Sequence, residues 1–388
     1  MTRRIAVVTT TRADFGIYRP LLKRLAADDG ISLHLIAGGM HLRPEFGMTI
    51  EEIGEAGFAV AARVDLLSGD DSPLGVAEAM ARATRGFAEA YAALAPDIAV
   101  LLGDRFEMHA AAVAAQPLRI PLAHLHGGEL TLGALDDSWR HSMTKLAHLH
   151  FVATDEFRRR VLQMGEEPWR VVVCGALGLD NLIDTPALTA AELEARIGLP
   201  LTPVPLLVTF HPETRDAMPV AEQAGALLEA LDAAGLPVVF TAPNADAGGR
   251  EIRRLMEAYV AAHPAARMVD SLGTPGYFAL MGRAAAMVGN SSSGIIEAAS
   301  FTLPVVNIGD RQQGRPRAAN VIDVARRSDA ILAAIRRATS ETFRTSLAGL
   351  ENPYAADHPA GEIIHRMLAS VPLDDALLKK GFIDLPQA

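Results

Sequence analysis

The sequence has very little cysteine, few aromatic side chains and no long apolar run. Cys174 is the one cysteine among 388 residues, so no intrachain disulfide can form and a cysteine-based zinc site is excluded. No apolar stretch approaches the roughly 20 residues that a membrane-spanning helix needs. The N-terminal run Ile5–Val8 is also too short for the apolar core of a signal peptide. We therefore expect a cytoplasmic globular protein with no membrane partner.

The sequence also has fewer basic residues than acidic ones. Lys and Arg total 36 against 46 Asp and Glu, which gives a formal net charge of −10. A broad basic surface for nucleic acid is therefore not expected, although a local arginine cluster could still bind a phosphate. Half of the residues are hydrophobic and 21% are charged, which excludes a disordered chain. At about 150 residues per domain, the length predicts two or three domains.

Short β-branched runs alternate with longer amphipathic stretches along the chain. Strands separated by helices of ten or more residues are typical of βαβ crossovers and a parallel sheet. We predict one α/β domain over residues 1–178 and a second over 179–365, with a helix in 366–388 expected to pack back on the first. The strands predicted are Ile5–Thr9, Ser32–Ala37, Asp97–Leu102, Pro121–Leu125, His150–Ala153 and Arg170–Val173, then Pro205–Thr209, Pro237–Thr241, Ala266–Val269, Ala286–Val288 and Pro304–Asn307.

The loop after the first strand, Thr9–Gly16, opens a helix. Backbone N–H groups at that helix N-terminus, together with Arg12, would suit an anion. An ordinary capping turn is the alternative. The motif G-x-G-x-x-G is absent from this loop and from the rest of the sequence, which argues against a nicotinamide cofactor.

Two later loops are further candidates for phosphate binding. Gly289–Glu297 follows a strand, and its small residues let backbone amides approach an anion while three hydroxyls add donors. Glu297 is placed to accept hydrogen bonds from sugar hydroxyls; a simple capping turn is the alternative for this loop. Gly309–Arg315 imitates P-loop spacing, but an Arg-Pro pair stands where Lys-Ser/Thr is required. Arg311 and Arg315 favour a diphosphate clamp, with a solvated charge cluster as the alternative.

Carboxylates are concentrated near the ends of consecutive predicted elements. Asp104 and Glu129 follow strands, and Asp136 and Asp137 open the next helix. Carboxylates that converge shift apart in pKa, which supplies one base and one acid near neutral pH. Alternatively, the first two cap turns and the second two favour the helix dipole. The set as a whole favours an acid–base site.

Histidines supply further candidates. His124 and His126, and likewise His148 and His150, have the i, i+2 spacing of metal ligands on one strand face. No cysteine and no H-E-x-x-H motif accompanies them, so we predict no metal. His211 ends the first strand of the second domain, where it is either structural, catalytic or a phosphate contact.

Taken together, these loops resemble those of hydrolysing UDP-N-acetylglucosamine 2-epimerases, in the branch of sialic and legionaminic acid biosynthesis. The resemblance covers nearly the whole chain in one order and rests on the segments Thr11–Gly16, Gly103–Glu107, His124–Glu129, Asp136–His141, His211–Thr214, Gly289–Glu297 and Arg311–Arg315. One departure is Thr10-Thr11-Arg12, where Gly-Thr-Arg is usual in the family. The added Cβ is expected to tighten the phosphate loop without changing the chemistry.

The resemblance implies two Rossmann-like parallel-sheet domains in a glycosyltransferase-B arrangement, with a UDP-sugar in an interdomain cleft and no cofactor. It implies acid–base carboxylates in the N-terminal domain, nucleotide-diphosphate binding in the C-terminal domain, and a homodimer or homotetramer. The catalytic residues implied are Asp104, Glu129, Asp136, Asp137 and His211. The substrate-binding residues implied are Arg12, Asp14, His126, Arg140, Ser291, Ser292, Ser293, Gly294, Glu297, Arg311 and Arg315.

The implied reaction converts UDP-N-acetylglucosamine and water into N-acetylmannosamine and UDP through a 2-acetamidoglucal. The same loops would serve a UDP- or GDP-2,4-diacetamido-2,4,6-trideoxyglucose, because pockets for the C4 and C6 groups cannot be read from a sequence. The same architecture would also suit a retaining glycosyltransferase or a non-catalytic sugar-nucleotide binding protein. The carboxylate cluster argues against the transferase, and the intact acid–base candidates argue against the non-catalytic protein.

Overall fold

The computed structural model describes residues 2–67, 69–70, 72–131, 135–186, 188–213, 218–242, 248–270 and 272–384. Apolar, β-branched segments form strands that pack on both faces, as expected of parallel sheets. The strands are β1 (Arg3–Thr9), β2 (Ile31–Gly38), β3 (Val60–Val64), β4 (Ile98–Leu102), β5 (Leu122–Leu125), β6 (Leu149–Val152), β7 (Val171–Val173), β8 (Leu206–Thr209), β9 (Val238–Thr241), β10 (Ala266–Val269), β11 (Met287–Gly289), β12 (Val305–Ile308) and β13 (Val321–Val324).

Helices connect most of these strands. They are α1 (Arg12–Ala26), α2 (Ile50–Glu55), α3 (Pro73–Leu94), α4 (Phe106–Ala115), α5 (Asp136–Leu146), α6 (Asp155–Gln163), α7 (Asn181–Asp184), α8 (Ala190–Ile197), α9 (Val220–Ala234), α10 (Gly249–Ala262), α11 (Gly273–Met281), α12 (Ser293–Ile296), α13 (Ser328–Thr339), α14 (Glu341–Ser346), α15 (Ala360–Ser370) and α16 (Asp375–Leu378). Short 3-10 turns lie at Gly39–Leu42, Pro44–Phe46, Pro168–Arg170, Leu177–Asp180 and Ala298–Phe301. Within the described residues, no helix combines the length and the apolarity needed to cross a bilayer.

Seven of the described strands form the first sheet, in the order β3-β2-β1-β4-β5-β6-β7. β1 pairs in parallel with β2, from Arg3↔Ile31 to Thr9↔Ala37, and with β4 on its other side. The direction of chain progression reverses between β1 and β4. The loops after these two strands therefore lie side by side at the carboxyl edge, the position where open parallel sheets generally bind ligands.

Both faces of the first sheet are covered by helices. Ile5 and Val7 of β1 belong to a buried cluster with residues of α1 and α15. Ala6 and Val8 point to the other face and join a cluster with residues of α3 and α4. Burial on both sides explains the nearly continuous apolar sequence of β1, since each fully buried Val or Ile stabilises the fold by about 1.5–3 kcal/mol.

Six described strands form the second sheet, in the order β10-β9-β8-β11-β12-β13. β11 pairs in parallel with β8, where Gly289 stands opposite Thr209, and with β12 on its other side. The strand order reverses between β8 and β11. The loop after β8 contains His211 and the loop after β11 contains Ser291. The two loops therefore lie side by side at the carboxyl edge of this sheet.

The strand predictions agree with the structure except at two sheet edges. Every predicted strand is present, with its ends within two residues of the predicted ones. The pattern missed β3 and β13, which lie at the outer edges of their sheets. Both are only partly buried, so their sequences lack a continuous apolar run.

The described chain divides into two compact units. The first is drawn from Met1–Glu129, Leu135–Asn181 and Tyr354–Ala388, and the second from Leu130–Ala134 and Leu182–Pro353. The main boundary thus lies three residues beyond the predicted 178/179. The returning segment begins at residue 354 and not at 366.

The C-terminal return is held in the first unit by a helix cap. The carboxylate of Asp180 accepts hydrogen bonds from the backbone N–H groups of Ala360 and Gly361, at 2.9 and 2.7 Å, at the start of α15. α15 then packs against α1. The cap and the first turn of α15 thus precede residue 366, where the returning helix was predicted to begin.

Candidate active site

Asp104 lies in a tight turn at the end of β4. Gly103 begins the turn with a φ of +76°, and its carbonyl oxygen accepts a hydrogen bond from Nε2 of His124 at 2.8 Å. Burial lowers the pKa of His124 to about 3, so the ring is neutral and donates this bond. His124 therefore has a structural role in holding the turn. Among the described residues, no group of three metal-ligating side chains is assembled.

Arg140 on α5 organises the carboxylates of the first unit. Its side chain is buried; Nη2 donates to the carboxylate of Asp104, and Nη1 donates to the carbonyl oxygen of His126 at 2.8 Å. Nη1 also lies 4.0 Å from Oε2 of Glu129. Burial by itself would lower the pKa of Arg140, but Asp104 and Glu129 raise it above its ordinary value. The guanidinium therefore stays charged and holds two strand-end loops in one network.

Glu129 lies at the end of the loop that follows β5. Its side chain is 2% exposed, and Oε1 lies 2.6 Å from Nδ1 of His126. Gly128, with a φ of +75°, lets this loop pass close to α6, since a Cβ there would stand 2.5 Å from the carbonyl oxygen of Phe157. The loop thus brings a buried carboxylate and an imidazole into direct contact.

Asp136 and Asp137 form the first turn of α5, as the sequence predicts. Both are half-buried, and Oδ2 of Asp137 lies 3.6 Å from Nε2 of His141. Both carboxylates also raise the pKa of Arg140, although less than Asp104 does. Both residues lie at the N-terminus of α5, as the helix-dipole alternative requires, and their acid–base role stays a prediction.

The loop after β1 is a side-chain cap that carries an exposed arginine. Asp14 accepts hydrogen bonds from the backbone N–H groups of Thr10 and Thr11, at 2.8 and 2.9 Å, and forms a capping box with Thr11. The capping-turn alternative therefore describes the backbone here. The side chain of Arg12 is 46% exposed and lies 3.8 Å from Glu52. Contacts of Arg12 and Asp14 with substrate stay predictions.

His211 follows β8, and its backbone is held by the loop after β11. Oδ1 of Asn290 accepts from the backbone N–H of His211 at 2.7 Å, and Nδ2 donates to its carbonyl oxygen at 2.8 Å. Gly289 precedes this asparagine with a φ of +139°, and a Cβ there would stand 1.9 Å from the carbonyl oxygen of Thr209. Asn290 therefore couples the two loops at the reversal point of the second sheet.

Directly after Asn290, the three serines Ser291–Ser293 form what we call the hydroxyl loop. The backbone N–H of Ser293, at the start of α12, donates a hydrogen bond to Oγ of Ser291 at 3.3 Å. The phenol of Tyr277 on α11 lies near the hydroxyls of Ser293, Thr209 and Ser291, which act to lower its pKa. Burial raises the pKa of Tyr277 to about 12, so the phenol stays protonated. Sequence reasoning missed this tyrosine, because a single aromatic residue in a helix carries no motif.

The arginine loop after β12 is tied to the same asparagine. Nε2 of Gln312 donates to the carbonyl oxygen of Asn290 at 2.8 Å, and Nη1 of Arg311 does so at 3.4 Å. Nε of Arg315 donates to the carbonyl oxygen of Leu130, which belongs to the second unit, at 3.4 Å. Two predicted phosphate loops of the second unit thus lie beside each other.

The structure therefore groups the predicted residues into two sets. At the carboxyl edge of the first sheet it brings together Asp104, His126, Glu129, Asp136, Asp137 and Arg140. At the carboxyl edge of the second it brings together the loops that contain His211, Ser291, Ser292, Ser293, Gly294 and Arg311, with Glu297 directly after α12. The first set is suited to proton transfer, and the second offers hydroxyl, amide and guanidinium donors to an anion.

The chain is similar to known proteins over nearly its whole length. A family model described as UDP-N-acetylglucosamine 2-epimerase matches residues 23–368. The chain is 39% identical over 385 residues to the GDP/UDP-N,N'-diacetylbacillosamine 2-epimerase (hydrolyzing) of Campylobacter jejuni, with 99% of each chain covered. It is 38% identical over 382 residues to the UDP-N,N'-diacetylbacillosamine 2-epimerase (hydrolyzing) of Legionella pneumophila, with 98% of this chain and 99% of that protein covered.

The fold is also found among solved structures. The UDP-GlcNAc 2-epimerase of Neisseria meningitidis, solved with UDP-GlcNAc bound, superposes with a TM-score of 0.80 at 16% identity, over 95% of this chain and 100% of that chain. This likeness confirms the predicted fold class of two parallel-sheet α/β domains. Since the family model covers most of the sequence and the relatives match it nearly end to end, the chain belongs to the UDP-N-acetylglucosamine 2-epimerase family.

Proposed function

We propose that the protein is a hydrolysing 2-epimerase, which converts a nucleotide-linked 2-acetamido sugar and water into the C2-epimeric free sugar and a nucleoside diphosphate. The observation that carries this proposal is the network of Asp104, Arg140, Glu129 and His126 at the carboxyl edge of the first sheet. Inversion at C2 needs groups that take and return a proton, and this network holds carboxylates and an imidazole around one fixed cation.

The first stage of the proposed reaction is an elimination. A base takes the C2 proton, the electron pair of that C–H bond forms the C1–C2 double bond, and the C1–O bond breaks so that UDP leaves with its electron pair. The C2 proton is weakly acidic, so the departing diphosphate has to be stabilised at the same time. We assign that role to Arg12, Arg311, Arg315 and the amides of residues 291–293, and the ribose contact to Glu297.

The second stage is a hydration of the 2-acetamidoglucal. Water attacks C1 and gives up one proton, while C2 receives a proton on the face opposite to the original one. Two protein groups are therefore required, one for each face of the ring. Asp104, Glu129, Asp136 and Asp137 are the carboxylates that we propose for this exchange, with His211 as a further candidate.

We propose a 2,4-diacetamido-2,4,6-trideoxyglucose nucleotide as the first candidate substrate. The relatives from Campylobacter and Legionella, 39% and 38% identical over nearly the whole chain, are both named as diacetylbacillosamine 2-epimerases. UDP-N-acetylglucosamine is the second candidate, favoured by the description of the family model. The two sugars present the same C1 and C2 to the catalytic groups and differ at C4 and C6, so one site chemistry serves both.

Proton NMR of the products decides between these substrates. UDP-N-acetylglucosamine and the UDP- and GDP-linked diacetamido sugars are offered separately to the purified protein. We expect the C2 epimer and the nucleoside diphosphate from one of them without any acceptor sugar. Release of diphosphate only when an acceptor is present would support a glycosyltransferase, and binding without turnover of any substrate would support a non-catalytic sugar-nucleotide binding protein.

Turnover in D2O tests the elimination itself. Product formed in D2O should carry deuterium at C2, because the returning proton comes from a group that exchanges with solvent. The absence of deuterium from C2 would rule out the proposed elimination. Alanine at Asp104 should abolish turnover while UDP binding, measured by calorimetry, changes little.

The assembly and location of the protein also stay predictions. We propose a homodimer or homotetramer in the cytoplasm, as the family resemblance implies. Sedimentation of the purified protein tests the first point, and a monomer at micromolar concentration would contradict it. Cell fractionation tests the second.

A further inference from the structure

The contact between His126 and Glu129 fixes the tautomer of the imidazole. Oε1 of Glu129 lies 2.6 Å from Nδ1 of His126. An ionised carboxylate can only accept, so Nδ1 carries the proton of this hydrogen bond. In the neutral ring the lone pair is then on Nε2. The loop therefore presents an imidazole whose second nitrogen is a hydrogen-bond acceptor and a base.

Nε2 of His126 has no hydrogen-bond partner among the described residues and is shielded from solvent. The side chain as a whole is 13% exposed, and the carboxylate behind it is 2% exposed. A buried basic nitrogen normally finds a partner, because desolvation of an unpaired acceptor is unfavourable. Nε2 is therefore not committed to any described protein group.

The backbone of His126 is in a conformation that residues other than glycine rarely adopt. Its φ is +63°, in the left-handed region. Arg140 stabilises this conformation by donating to the carbonyl oxygen of the same residue at 2.8 Å. Such backbone geometry persists where surrounding contacts impose it, and it occurs often at functional sites. The same guanidinium that binds Asp104 thus also holds the backbone of His126.

We propose that His126 is the base that removes the C2 proton, and that Glu129 acts behind it as the positioning carboxylate. This inference rests on the proposed 2-epimerase function and changes the assignment within it: Glu129 is a catalytic carboxylate by resemblance, whereas here its Oε1 is engaged with the imidazole. The arrangement follows the logic of a base oriented by a buried carboxylate.

The proton and electron balance of this step is simple. The lone pair of Nε2 takes the C2 proton, the C–H electron pair becomes the C1–C2 double bond, and UDP leaves C1 with the electrons of the C1–O bond. The imidazolium that forms keeps its Nδ1–H donated to Glu129, whose negative charge stabilises it. The proton is later returned to the bulk solvent, while a group on the opposite face protonates C2.

The test compares matched variants of the full chain. His126→Gln removes the base but keeps a side chain that can hydrogen-bond to Glu129, and His126→Asn is the second variant if the first does not fold. Glu129→Gln keeps an acceptor for Nδ1 but removes the charge. His365→Gln is the control, since Nε2 of His365 lies 2.8 Å from Asp28 in a second histidine–carboxylate pair of the first unit.

Rates are measured with the substrate that the wild-type protein converts, both unlabelled and deuterated at C2. We expect H126Q to lose about 10²- to 10⁴-fold in kcat, the usual contribution of a general base. UDP affinity and KM should stay within about threefold of wild type. The C2 deuterium isotope effect on kcat should rise, because proton removal becomes the slow step. E129Q should lose less than H126Q, as orienting carboxylates do relative to the base they orient, and H365Q should lose nothing.

Two results would overturn the inference. The first is H126Q turnover within about tenfold of wild type. The second is a large loss in H126Q with a C2 isotope effect no greater than that of wild type, because the lost step would then not be proton removal. Failure of the wild-type protein to convert any of the nucleotide sugars would instead refute the proposed function, so the two failures are distinguishable.

Discussion

Asn290 holds the backbone of His211 with both ends of its side-chain amide. Oδ1 accepts from the N–H of His211 at 2.7 Å, and Nδ2 donates to its carbonyl oxygen at 2.8 Å. The asparagine is 1% exposed, and its own carbonyl oxygen accepts from Gln312 at 2.8 Å. One residue thus sets the relative positions of three loops at the carboxyl edge of the second sheet.

Asn290→Asp should destabilise this edge and lower turnover. The substitution is isosteric, but it replaces the donating Nδ2 with an oxygen that faces the carbonyl oxygen of His211. We expect a loss of about 3 kcal/mol in the free energy of unfolding, at the upper end for an unpaired buried polar group. Urea denaturation and kcat measure the two effects. A variant with wild-type stability and wild-type kcat would show that the paired hydrogen bonds do not position His211.

Gly289→Ala should prevent correct formation of the hydroxyl loop. The added Cβ would stand 1.9 Å from the carbonyl oxygen of Thr209, in a backbone with a φ of +139°. We expect a loss of several kcal/mol, about the cost of a strained backbone added to a steric clash. Thermal unfolding and the yield of folded protein measure it.

Gly225→Ala is the matched control for that substitution. Gly225 lies inside α9 (Val220–Ala234), and a Cβ there meets no atom within 4 Å. Alanine should therefore raise the free energy of unfolding by about 0.5–1 kcal/mol, since glycine is unfavourable inside a helix. Equal effects of the two alanines would contradict the proposed steric cause.

Stability should fall as the pH falls from about 6.5 toward 4. Burial, followed by the charge of Lys380, lowers the pKa of His148 to about 4, and Nδ1 of this histidine accepts from the backbone N–H of Leu122 at 3.1 Å. The unfolded chain takes up a proton below about 6.5, whereas the folded chain does not until about 4. The stability contributed by the neutral ring is therefore complete above the unfolded pKa and is lost as the pH falls.

Urea denaturation between pH 5 and 7 measures this linkage. In this window, His148 changes the free energy of unfolding by up to about 1.4 kcal/mol per pH unit. His148→Gln keeps an acceptor for the N–H of Leu122 but cannot titrate. It should reduce the slope of the free energy of unfolding against pH by about one proton. Identical slopes for the variant and the wild type would show that His148 titrates alike in both states.

Glu166→Gln should be strongly destabilising. The buried carboxylate of Glu166 lies 2.6 Å from Nζ of Lys145, 2.9 Å from Nε2 of His150 and 3.0 Å from Nζ of Lys380. Burial by itself would raise the pKa of Glu166, but hydrogen bonds from His150 and Lys145 lower it to about 2. Removal of one charge from such a buried group costs about 3–5 kcal/mol. The loss is measured by chemical denaturation at pH 7.

Glu156→Gln provides the comparison on a neighbouring helix. Glu156 pairs with Arg160 at 3.1 Å along α6 (Asp155–Gln163), and its side chain is 40% exposed. The change should stay within about 0.5 kcal/mol, because exposed ion pairs contribute little. If the two glutamine variants lost equal stability, burial would not be the reason why the ion pairs of Glu166 stabilise the fold.

The sequence predicted the inner strands of both sheets but missed one edge strand in each. Strands buried on both faces, such as β4 (Ile98–Leu102), have continuous apolar sequences that end at turn-forming residues. β3 (Val60–Val64) has buried and exposed positions mixed with an arginine, so its sequence resembles that of a loop. Loops at strand ends were also located correctly, because Gly103 and Gly289 mark the points where the chain must turn.

The roles of individual site residues depended on contacts that the sequence does not encode locally. Tyr277 lies near three hydroxyls of the second sheet edge but carries no motif. Asp14 caps α1 with its carboxylate, a role that the resemblance does not imply, and its contact with substrate stays a prediction. Both outcomes depend on how side chains from different elements meet, which local periodicity does not report.

The sequence by itself determined the two parallel α/β domains and the loops that carry the candidate chemistry, because both follow from local hydrophobic period and from turn-forming residues. Tertiary structure alone decided which side chains interact. Arg140 reaches Asp104 across 36 residues of chain, and the imidazole of His126 turns one nitrogen to Glu129 and leaves the other without a protein partner among the described residues. Such contacts arise when separate strands end at one sheet edge, so they exist only after the chain has folded.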